Sequence, residues 1–89
     1  MTDRADTIHT ALQTRFAPEH LLVKDQSHLH AGHAGAADGR GHFAVDIVSA
    51  EFSGVSRINR HRLVHECLAD LLKTDIHALS IRARAPDET

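Results

Sequence analysis

Apolar residues in this chain switch between helical and strand spacing, and the order of the switches limits what it can fold into. Ile8, Leu12 and Phe16 recur every fourth residue, with Ala11 beside them, which draws one face of a helix. Leu21 to Asp25 is a short β-compatible run. Phe43, Val45 and Ile47 alternate with Ala44 and Asp46, the pattern of a half-buried strand. Val64, Cys67, Leu68 and Leu71 then form the apolar stripe of a second helix, with Leu63 and Leu72 on its flanks. Arg62, Glu66 and Lys73 fall on its opposite side. Leu79, Ile81 and Ala83 alternate again with Ser80, Arg82 and Arg84. The order is α-β-β-α-β. A three-stranded sheet with both helices on one face buries all the alternating faces at once, which predicts an α+β sandwich.

The boundaries have local causes. Asp3 and Asp6 suit the positive end of the first helix. Pro18 stops it, because Ala17 before a proline is pushed out of the helical region. Ser49 to Gly54 reads as a turn, and Ser56 as the N-cap of the second helix. The segment 28–41 holds four of the five glycines and three histidines, and is expected to be a long, mobile loop. Residues 86–89 are expected to be a flexible tail. The whole of 1–89 is read as one domain, since a chain of this length supports a single core burying somewhat over ~60% of its unfolded surface.

Composition narrows the function. With 42% hydrophobic and 25% charged residues the chain is a globular one. No apolar run approaches the roughly 20 residues of a membrane span. Met1-Thr2-Asp3-Arg4 lacks the order of a signal peptide, so a cytoplasmic protein with no membrane partner is expected. The formal net charge is -2, so any nucleic-acid role must rest on a local patch. One cysteine excludes an internal disulfide and a cysteine-based zinc site. The unusual count is nine histidines, against no Trp and no Tyr.

Two of the histidine placements suggest a metal. His28, His30 and His33 sit in the glycine-rich loop, and His77 stands between the second helix and the last strand. Imidazole is a good ligand for zinc and iron. Taken singly, the loop histidines suit a solvated loop and His77 suits a helix cap. In the α-β-β-α-β layout the two regions can share one end of the sheet, making an open two-ligand site that an outside partner must complete. His61 and His65 are spaced i, i+4, but Arg62 follows the first where a metalloprotease has glutamate, so both are assigned to packing or surface contact. Arg57, Arg60 and Arg62, with His61, cluster at a helix start, where phosphate oxygens can bind. Cys67 lies mid-stripe and reads as an inert thiol. Gly32-His33-Ala34-Gly35 spells the GxxG of KH domains but lies between strands rather than helices. No nucleophile with a paired base and no phosphate-binding glycine loop is visible, so a non-enzyme is expected.

Several short motifs in order resemble the BolA-like family: Phe16-Ala17-Pro18, Asp25-Gln26-Ser27, His30-Ala31-Gly32-His33, His42-Phe43, Val48-Ser49, Phe52-Ser53-Gly54, Arg60-His61-Arg62 and Ile76-His77-Ala78-Leu79. The resemblance runs from about Ile8 to Pro86. Arg40-Gly41 replaces the family's usual glutamate-threonine before the His-Phe pair. The resemblance implies a KH-like (class II) fold. It also implies a [2Fe-2S] cluster shared with a monothiol glutaredoxin in a heterodimer, with thiolates from the glutaredoxin and glutathione, and no cluster in the isolated monomeric apo protein. His77 matches the ligand of the Ile-His-Ala-Leu motif. The second ligand matches His33 or His30 in the loop. Two histidines on one iron raise a cluster's potential and make it pH-sensitive. Some family members act as DNA-binding regulators of stress response and cell shape, which implies a stand-alone role for the Arg60-His61-Arg62 segment as the alternative.

Overall fold

The computed structural model describes residues 4–26 and 41–88. Helix α1 spans Arg4–Phe16, strand β1 His20–Asp25 and strand β2 Gly41–Val48. A 3-10 turn at Ala50–Phe52 leads to helices α2, Arg57–Cys67, and α3, Ala69–Thr74. Strand β3, Ile76–Arg84, and a 3-10 turn at Pro86–Glu88 complete the described chain.

The three strands form one sheet in the order β1-β2-β3, with β1 antiparallel and β3 parallel to the central β2. Register aligns the apolar positions across the sheet, except for exposed Asp25 at the end of β1. Leu21, Ile47 and Ala83 make one row, Val23, Val45 and Ile81 the next, and Asp25, Phe43 and Leu79 the third. These rows share a face, because side chains alternate with a period of two. Ile8, Leu12 and Phe16 of α1 and Val64 and Leu68 pack with that face in a single core. A 13-residue helix is marginal in water alone. Burying each large apolar side chain contributes about 1.5–3 kcal/mol, so tertiary packing rather than propensity holds α1.

The ends follow the expected chemistry. Ser56 caps α2, its hydroxyl accepting from the Asn59 N–H at 3.3 Å. Helix α1 stops at Phe16, and Ala17 takes a left-handed φ of 42° rather than an extended conformation. Gly54 turns the chain with φ 75°, which a glycine adopts without strain.

Four expectations need correction. The second helix is two helices, since Leu68 has φ -103° and ψ 14° and bends the axis while its side chain is driven fully into the core. Gly41 belongs to β2 rather than to the loop, and β1 begins one residue earlier, at His20. Residues 86–88 are a pinned 3-10 turn rather than a loose tail, because Glu88 is bound by Arg60 and by the Ala85 N–H.

Candidate functional site

Strand β3 enters the sheet with an irregularity. Gly41 partners Ile76, but His42 partners Ala78, so His77 is an extra residue set against a single step of β2. A bulge of this kind re-aims a side chain. His77 is exposed, and its ring lies 5.1 Å from that of half-buried His42, centroid to centroid and tilted by 54°. Two imidazoles from adjacent strands thus meet at one end of the sheet.

The same end anchors the chain on either side of residues 27–40. The Gln26 N–H donates to the His42 carbonyl at 2.8 Å, and the Gly41 N–H donates to the Asp75 carbonyl at 2.9 Å. The Asp75 carboxylate in turn lies 3.6 Å from Arg4 Nε. His28, His30 and His33 lie outside the described residues, as does the Gly32–Gly35 motif. No group of three or more His, Cys, Asp or Glu among the described residues is arranged to hold a metal ion. Two imidazoles alone do not complete the four-coordinate shell that zinc or cluster iron requires. His42 and His77 by themselves therefore do not form a complete metal site.

His42 was read from the sequence only as part of a motif. The signal was present, since alternation puts it on the face opposite Phe43, but its meeting with His77 depends on the β2–β3 register.

The basic residues at the start of α2 separate into two kinds. Arg60 is turned inward. Its Nε donates to the Val55 carbonyl at 2.7 Å and Nη1 to the Ala83 carbonyl at 3.1 Å. Nη1 and Nη2 meet the two Glu88 carboxylate oxygens at 2.5 and 2.7 Å. This bidentate pairing raises the Arg60 pKa further. The Arg60 bonds, followed by the Ala85 N–H, hold the Glu88 carboxyl down from 4.5 to about 2. Arg60 is thus a clamp between α2, β3 and the C-terminal turn, with four of its five N–H donors already used. Arg57 and Arg62 are exposed and His61 is half-buried. Arg57, Arg60 and His61 line a groove of about 670 Å³ against residues 81–84 of β3 and Glu88. His65 is exposed. Cys67 is half-buried, donates to the Ala11 carbonyl at 3.5 Å, and has its thiol pKa raised by burial, all consistent with an unreactive thiol.

A family model described as BolA-like protein matches residues 12–88. The chain belongs to the BolA-like family. BOLA1, chloroplastic, of Arabidopsis thaliana is 42% identical over 90 residues, covering 98% of this BolA-like chain and 56% of the relative. SufE-like protein 1, chloroplastic/mitochondrial, of the same plant is 46% identical over 90 residues, covering 96% of the chain and 24% of the relative. The chain thus spans about half of the first of these relatives and a quarter of the second. The solved structure of BolA1 from Arabidopsis thaliana superposes with a TM-score of 0.87 at 40% identity, covering 100% of this chain and 98% of that one. The three-stranded mixed sheet and its helices are therefore those of a BolA-like protein. No helix among the described residues is long and apolar enough to cross a membrane.

Proposed function

We propose that this BolA-like protein is a non-enzymatic partner that shares a [2Fe-2S] cluster with a monothiol glutaredoxin in the cytoplasm. One observation carries the reading: the bulge holds His77 out beside His42, at the end of the sheet where the histidine-bearing segment 27–40 is anchored. In this reading His77 donates one imidazole, and His33 or His30 the second. His42 packs against the His77 ring and limits its rotation. When bound, the cluster supplies iron and sulfide for transfer or sensing, and the glutaredoxin and glutathione supply the thiolates.

The test is to mix the apo protein with cluster-loaded monothiol glutaredoxin and follow visible absorption and circular dichroism. The wild type is expected to change the spectrum, and His77→Ala to abolish the change. Of His30→Ala and His33→Ala, the one that also abolishes it identifies the loop ligand. His42→Ala is expected to alter the band shape rather than remove it. A wild-type protein that leaves the spectrum unchanged refutes the proposal. The alternative, a stand-alone DNA-binding regulator, loses ground because Arg60 is already bound within the fold.

A further inference from the structure

The groove between α2 and β3 has a floor that side chains alone do not describe. Residues 81–84 are consecutive, so the strand presents its backbone edge there as well as its faces. The direction of each peptide group follows from the ladder. Arg84 partners Val48, and its carbonyl accepts from the Ser49 N–H at 3.0 Å, so Arg84 faces β2. In a parallel pair alternate residues face the neighbour. Ser80 and Arg82 therefore bond to β2 as well, while Leu79, Ile81 and Ala83 point their N–H and C=O groups outward. The Ala83 carbonyl confirms this, since Arg60 of α2 takes it at 3.1 Å. The Ile81 N–H and C=O and the Ala83 N–H remain directed into the groove, and no non-ladder backbone bond reaches them among the described residues.

Such an edge is a template for another strand. Its charge selects the strand. Arg57 and His61 stand on the helical side, and Arg82 on the uncovered face of the sheet. Of the nearby acids, Glu88 is paired with Arg60 and Asp46 with Arg84 at 3.0 Å, while exposed Asp87 does not line the groove. Side chains of an added strand alternate between the two sides, so carboxylates on either side meet a cation. A second copy of this chain is disfavoured, because pairing β3 with β3 about Arg82 sets like charges opposite each other. A nucleic acid is disfavoured too. It offers no backbone N–H for the Ile81 carbonyl, and with Arg60 and Arg84 committed the groove has few cations left to neutralise a run of phosphates.

We infer that the β3 edge at Ile81–Ala83 is a docking site for an extended acidic peptide segment of a partner polypeptide, which adds to the sheet as a fourth strand. Ile81 lies about 13 Å along the strand from His77, at ~3.3 Å per residue, so the site is distinct from the histidine pair and its failure is read separately.

The experiment titrates the isotope-labelled full chain with a nine-residue peptide of alternating glutamate and valine, acetylated and amidated, and follows backbone amides by NMR. One-to-one binding is expected, with the Ile81 and Ala83 amides shifting and becoming protected from solvent exchange. A lysine-valine peptide is expected to bind at least ten-fold more weakly. The Arg57→Glu, Arg82→Glu double variant, altered only at exposed positions, is expected to lose a similar factor. N-methylating alternate peptide amides is expected to abolish binding in one register and spare it in the other. Binding without protection at Ile81 and Ala83, equal binding of the lysine peptide, or tighter binding of duplex DNA that the peptide does not displace would each overturn the inference. So would a dimer of the chain in which those two amides are already protected.

Discussion

Ser49 shows how much one small polar side chain can carry. It is 1% exposed, donates its hydroxyl to the Phe16 carbonyl at 2.8 Å, and accepts from the Glu51 N–H at 3.2 Å. It therefore closes the last turn of α1 and opens the 3-10 turn after β2. Ser49→Ala leaves the Phe16 carbonyl without its buried partner, which costs about 1–3 kcal/mol. The urea midpoint should fall by that cost divided by the slope, with the slope itself unchanged, since the surface exposed on unfolding is the same. The sequence marked Ser49 as part of a turn, but its bond to a residue 33 positions away was not legible. Arg60 is the same case with a larger consequence. Among Arg57, His61 and Arg62 it looks like a phosphate contact, yet its partners lie 5, 23 and 28 positions along the chain. Local charge pattern reads a neighbourhood in sequence, whereas a buried guanidinium answers to a neighbourhood in space.

At the scale of elements, the alternating strands and the helical stripes were legible because burial imposes their periods directly. The break at Leu68 was not, since no proline or glycine marks it and a stripe of Val64, Leu68 and Leu71 reads the same whether or not one residue bends. The bulge at His77 was invisible for a related reason: it belongs to the register between two strands, not to either alone. The C-terminal turn was hidden because three polar or helix-breaking residues at a chain end carry no apolar signal. Its attachment is testable by pH. The Glu88 carboxyl lies below its ordinary value in the folded protein, at about 2, so its contribution is present at neutral pH. That contribution is lost as pH falls from about 4.5 to about 2, where the folded state must also take up the proton. Wild type is expected to be more stable than Glu88→Gln at neutral pH, with the difference shrinking through that window. Paired urea titrations at stepped pH check it, and a pH-independent difference would mean that the carboxylate charge is not what holds the turn.

Over the whole molecule, β3 divides its work by position. Leu79, Ile81 and Ala83 turn their side chains toward the core and their peptide groups toward the free edge. The bulge delivers His77 at the strand's beginning, and Arg82 projects from the uncovered face near its end. His77 and Arg82 are about 16 Å apart along an extended strand, a separation at which substitutions act independently. His77→Ala should therefore abolish the spectral change with glutaredoxin and leave acidic-peptide affinity within two-fold, while Arg82→Glu should do the reverse. Because both side chains are exposed, each variant should stay within about 0.5 kcal/mol of wild-type stability. The double variant should show each defect at its single-variant size. Loss of peptide binding in His77→Ala would mean instead that the bulge and the edge move as one unit, and that a partner gripping one end of β3 changes the donors offered at the other.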